Sequence, residues 1–112
     1  MDQNFFEKGI NGEVRGSTVV VTAAGTTNLT AGTTLAVINS DAGAMEIRLP
    51  SAAEGDCITL VASDTSNTID VRNPGGGLPN GQSAMNALNA TLIYCAIGDG
   101  ETWYSIPTTA SV

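Results

Sequence analysis

Histidine is absent from the 112-residue chain, which removes the side chain most often used as a general acid–base and as a metal ligand. Basic residues are few: Lys8, Arg15, Arg48 and Arg72 stand against 11 acids, for a formal net charge of −7. Nucleic-acid binding needs clustered cations to displace counterions, and anionic lipid surfaces need the same, so neither nucleic acid nor membrane is expected as a partner. No run approaches the ~20 apolar residues of a membrane span, and no signal-peptide pattern opens the chain. The sequons at Asn28 and Asn89 are therefore read as incidental in a Thr- and Asn-rich sequence. Aromatic residues amount to 4%. Apart from Phe5 and Phe6, only Tyr94, Trp103 and Tyr104 supply large rings, and the 42% hydrophobic content leans on Ala and Val. Such a core is thin, and an obligate interface, which resembles a core divided between subunits, would thicken it.

Catalytic and metal-binding patterns are equally scarce. Without histidine, and with one lysine, a Ser, Thr or Cys nucleophile lacks an evident base. Walker, Rossmann and G-x-S-x-G spacings are missing. The close carboxylate pairs, Glu54/Asp56 and Asp99/Glu101, fall in turn-like segments where acids serve solvation, so an enzyme is not expected. "GDGET" (98–102) lacks the repeated ligand spacing of a calcium loop and reads as a hairpin turn. No cofactor or metal is expected; a Ca²⁺ shared among symmetry-related acids is the alternative to a plain turn there. Cys57 and Cys95 lie inside apolar runs, where buried free thiols are the default reading and a disulfide across neighbouring strands is the alternative.

What the sequence does contain is a succession of short β runs. The length fits one domain. "STVVVTA" (17–23), "TLAVIN" (34–39), "MEIRL" (45–49), "CITLVA" (57–62), "TIDVR" (68–72), "TLIYCAI" (91–97) and "TWYSI" (102–106) are rich in β-branched or aromatic residues. Met45, Ile47 and Leu49 alternate with Glu46 and Arg48, as expected of a half-buried antiparallel strand. "TLIYCAI" is apolar nearly throughout and reads as a central strand covered on both faces. "NSDAG" (39–43), "SDTSN" (63–67) and "GDG" (98–100) have hairpin size and composition. Pro50 closes the run 45–49. The stretch 22–34 reads as an extended loop, and "NPGGGLPNGQSAMNALNA" (73–90) as a long crossing that includes an irregular turn. The fold class expected is all-β: a compact antiparallel sandwich, jelly-roll-like fold or small barrel over 17–112. Residues 1–16 are read as an extended arm or short amphipathic hook, either a frayed terminus or an anchor whose Phe5 and Phe6 insert into a partner or neighbouring subunit. Trp103, Tyr104 and Tyr94 are expected in the core or a subunit interface. A sugar-stacking role for Trp103 is the alternative.

Residues 33–106 also carry a resemblance. "TTLAVINSDAGAMEIRLPSAAEGDCITLVASDTSNTIDV", the loop "NPGGGLPNG" and "ATLIYCAIGDGETWYSI" together resemble β-rich virion modules of tailed bacteriophages, in particular trimeric capsid decoration (cement) proteins and the related heads of head and tail fibres. The features in question are a Leu-Pro bend, a Gly, a β run and a late "GDG…W" hairpin. The resemblance implies a homotrimer made in the bacterial cytoplasm and placed on the outer capsid surface, with the major capsid protein as partner. It also implies that residues 1–16 reach over the shell or into neighbouring subunits, with Phe5, Phe6 and Ile10 as the contacts. The alternative is a receptor- or glycan-binding head of a tail fibre or baseplate. The missing repetitive shaft favours decoration over fibre.

Overall fold

The computed structural model describes residues 17–51, 53–96 and 98–106. Eight strands account for the regular structure of these residues: β1 (Ser17–Val21), β2 (Gly25–Asn28), β3 (Thr33–Asn39), β4 (Met45–Arg48), β5 (Cys57–Asp64), β6 (Ile69–Arg72), β7 (Thr91–Ala96) and β8 (Trp103–Ile106). They form a five-stranded sheet in the order β1-β3-β5-β7-β8 and a three-stranded sheet in the order β2-β4-β6. Consecutive strands therefore alternate between sheets, and the chain winds as a flattened coil of three turns before β7 and β8 close the larger sheet.

Within the coil every pairing is parallel: β1 with β3, β3 with β5, β2 with β4, and β4 with β6. Parallel neighbours need a crossover between them. Here the strand in the opposite sheet, with its two corners, is that crossover. Alternation within each strand then does the packing. Ala36 and Ile38 of β3, Ile58, Leu60 and Ala62 of β5, and Leu92, Tyr94 and Ala96 of β7 point inward from one sheet. Met45 and Ile47 of β4 and Ile69 and Val71 of β6 meet them from the other.

Among the described residues the all-β character is as expected, and the seven expected strands form where the sequence places them. Their pairing is not as expected. The antiparallel sandwich is corrected to parallel coil turns, with only β5–β7 and β7–β8 antiparallel. Neither sheet order closes on itself, so no barrel forms. "NSDAG" and "SDTSN" are corners from one sheet to the other and make no hairpin; "GDG" does make one, between β7 and β8. Asp99 holds that turn, its Oδ1 accepting from the N–H groups of Glu101 and Thr102 at 3.0 and 2.7 Å and its Oδ2 from the Thr102 hydroxyl at 2.5 Å. The hydroxyl bond first, then these N–H bonds, hold its carboxyl below the usual carboxylate range. The expected loop 22–34 contains β2, which was hidden because "GTTN" has no apolar alternation.

One corner is tied by a polar pair, buried Ser40 and half-buried Asn67. Ser40 is fully buried and its hydroxyl accepts the N–H of Asn67 at 3.0 Å. The same hydroxyl has the carbonyls of Asp64 and Asn67 at 3.0 and 2.8 Å for its single proton, and the Asn67 amide donates back to the Ser40 carbonyl at 2.7 Å. These bonds stack the β3–β4 corner on the β5–β6 corner. Ser40→Ala removes the acceptor of the half-buried Asn67 N–H, and is expected to lower stability by about 1–2 kcal/mol in urea denaturation. A loss within error of zero would show that the corner is held by its backbone alone.

The long 73–90 connection finishes the molecule by covering two edges. Asn80 bridges β8, donating to the Trp103 carbonyl and accepting from Ser105 N–H, at 2.9 and 2.8 Å. Ser83 and Met85 bond β6 through Val71 and Ile69. Tyr94 fixes this connection from below, its phenol donating to the Gln82 carbonyl. Burial raises the Tyr94 pKa above its ordinary value. The unfolded phenol ionises near ~10, so stability from this group is complete below that pH and falls as pH rises further toward the folded value. Wild type is expected to lose denaturation free energy between neutral pH and pH ~11, and Tyr94→Phe to lose less over the same interval. Equal losses would assign the alkaline effect to other groups.

Candidate functional site

The two sheets present opposite chemistry outward. Register places Thr26, Glu46 and Asp70 side by side on the small sheet, and Asn28, Arg48 and Arg72 in the next row. Like charges are neighbours across these strands, and each is compensated along its own strand. Arg48 Nε lies 2.6 Å from Glu46 Oε2, and Arg72 Nη2 lies 3.9 Å from Asp70 Oδ2. This face is polar, charged and internally neutralised.

The outer face of the five-stranded sheet carries no charge between its strand ends. One row runs Val20, Val37, Val61, Thr91. The next runs Thr18, Leu35, Thr59, Ile93, Ile106, and a third Cys57, Cys95, Tyr104. Val20 is 63% exposed, Ile106 44% and Tyr104 41%; Leu35, Val37, Val61 and Ile93 are half-buried. Asp64, at the end of β5, turns its carboxylate to the Ser66 N–H at 2.8 Å. Scattered exposed apolar residues are ordinary, whereas a contiguous patch marks an interaction surface.

Cys57 and Cys95 stand on this same face as a disulfide, corrected from the buried free thiols expected of their apolar runs. Inward Ile58 and Tyr94 force their neighbours outward, and the register sets the two cysteines directly opposite with Cα atoms 4.1 Å apart. The Ala96 N–H bonds the Asp56 carbonyl at 2.8 Å, which makes the cysteine pair one of the closer, non-hydrogen-bonded pairs of an antiparallel ladder. The strand "TLIYCAI" is likewise interior to its sheet but covered on one face only.

The sequence-expected site residues separate by placement. Trp103 and Tyr94 are buried in the core, and Tyr104 stands on the outer face beside the disulfide. Trp103 is 1% exposed and its indole N–H donates to the Pro50 carbonyl at 3.0 Å, so it offers no stacking surface to a sugar. Phe5, Phe6 and Ile10 lie outside the described residues. The carboxylate pairs occupy neighbouring turns: Ser51 Oγ donates to Gly100 O at 3.4 Å, and a Cβ on Gly98 would stand 2.8 Å from that of Glu54. Among the described residues, no three Cys, Asp or Glu side chains gather in a way that could hold a metal ion. Among the described residues, one cleft of about 310 Å³ is lined mainly by Thr65, Ser66 and Asn67, and another of about 240 Å³ mainly by Thr33, Thr34 and Pro50. Neither joins two carboxylates.

Sorting the residues of each strand into an inside and an outside does not disclose the charge-free face. The signal was there: Val20, Val37, Val61 and Ile93 occupy the positions an exposed strand face would fill with polar residues. No protein-family model matches the chain, and no curated protein matches it significantly.

Proposed function

We propose that the protein is a virion structural part: a homotrimeric capsid decoration protein that binds the outer surface of a tailed-phage shell and raises the barrier to its rupture. It has no catalytic role in this reading. The resemblance of residues 33–106 supplies the virion setting. The observation that carries assembly is the charge-free apolar face of the five-stranded sheet. A cross-linked coil with the β6 and β8 edges capped is a rigid brick, and the disulfide suits a part that ends on the oxidising outside of a particle. The major capsid protein is the partner, met by residues 1–16 through Phe5, Phe6 and Ile10.

The experiment is immunogold labelling of virions from a lysate in which the chain is expressed, with antibody raised to the purified protein. Label spread over the shell is the expected result. Label confined to the tail tip would replace this reading by a receptor-binding head, and no label on virions would overturn both. A Phe5→Ser/Phe6→Ser variant is expected to fold and to lose shell labelling.

A further inference from the structure

We propose that the outer face of the five-stranded sheet is the surface through which copies of this chain associate, each copy turning that face toward a shared axis. The inference deepens the assembly reading, from which it takes the number three. The face itself is read from the sheet.

Charge selects the occupant. Each copy carries −7, so two copies repel unless they meet where carboxylates are absent. The small sheet would set Glu46 and Asp70 against their counterparts, whereas the large sheet presents Val37, Val61, Leu35 and Ile93 at its centre. A basic partner would find nothing here to pair with. Area agrees: five strands about 4.8 Å apart and roughly 20 Å long give on the order of 500 Å² per copy, or about 1,500 Å² buried across three copies. Shape agrees too. Val20, Val37 and Val61 form one ridge and Leu35, Ile93 and Ile106 stand in the next, so each copy brings apolar ridges to the axis where they meet those of its two neighbours. Left bare, a face of this kind would drive aggregation, and the partner present in equal amount from synthesis is another copy.

The test is solution mass by light scattering on the full, oxidised chain from micromolar to submillimolar concentration. Wild type is expected near three times 11.4 kDa. Val37→Lys/Val61→Lys, two adjacent central positions, is expected to run as the monomer while Trp103 emission stays that of a buried indole. Because central lysines could disturb folding, Val20→Lys/Tyr104→Lys is the second variant. Both residues are already exposed, and the variant is expected to weaken association by about tenfold or more. Thr26→Lys/Asn28→Lys, on the other sheet, is expected to leave the mass unchanged. A monomeric wild type overturns the proposal, whether a foreign partner or the chain's own N-terminal residues cover the face. So does a wild-type mass retained by both large-sheet variants, or lost only in the small-sheet variant. Association through this face without shell labelling would leave the inference standing and remove the decoration reading; shell labelling by a monomer would do the reverse.

Discussion

Trp103→Ala is expected to cost about 4 kcal/mol or more of folding stability, a large share of what a domain of this size possesses. The indole is the largest fully buried side chain in an aromatic-poor protein. Truncation opens a cavity that the close-packed neighbours fill only in part. A second loss comes with it. The indole N–H reaches the carbonyl of Pro50, just past β4 in the small sheet, and truncation orphans that buried acceptor. Trp103 N–H also meets Asn73 Oδ1 at 3.3 Å, so one residue joins the closing hairpin to the ends of β4 and β6. Urea denaturation followed by far-UV circular dichroism checks the figure. Trp103→Phe separates the two contributions: it keeps most of the packing, loses the Pro50 bond, and is expected to cost about 1–3 kcal/mol. A loss under about 1 kcal/mol for Trp103→Ala would mean that the core closes without its only indole.

How much of this architecture the sequence discloses depends on which interaction sets each feature. Strand positions are local: β-branched runs bounded by Pro50, Gly98–Gly100 and the Ser/Asp/Asn corners locate seven of the eight strands. Pairing is not local. Alternation in "MEIRL" states that one face is buried and says nothing of whether the neighbour runs parallel. The evidence for parallel turns lay in a comparison along the chain. "EIRLP" (46–50) and "DVRNP" (70–74) share acid, β-branched residue, Arg and Pro at one offset, and that same offset separates Val37 from Val61 in register. A weaker echo at 25–36 draws attention away from it, because "GTTNL" and "GTTLA" fall on strands of different sheets. The cysteines mislead for a related reason. When the outward face of a strand is itself apolar, its run looks buried on both sides, and an exposed Cys57 cannot be told from an inward one. Tertiary register decides it.

That register makes the disulfide the second large contributor, because it locks the last parallel turn to the closing hairpin. The bridged residues are 38 apart in sequence, and the segment between them holds β6 and the whole 73–90 connection. Chain entropy for a closed loop of this length corresponds to about 4 kcal/mol at 25 °C, if the native geometry is unchanged on reduction. Reduction, or Cys57→Ala/Cys95→Ala, is therefore expected to lower the melting temperature by on the order of 20 °C. Cys57 is exposed, so reductant reaches the bond without prior unfolding. The effect acts mainly on the unfolded ensemble, which the cross-link keeps compact; the reduced protein should also show a steeper dependence of stability on denaturant. Denaturation of the oxidised, reduced and doubly substituted forms, read by Trp103 emission, checks both points. A difference below about 1 kcal/mol would mean that β5 and β7 stay paired in the unfolded chain without the bond, leaving the cross-link little to constrain. If the full loss appears, the reduced coil stands by its core and corners alone, with the outer sheet face unchanged in the folded molecule and the unfolded chain set free.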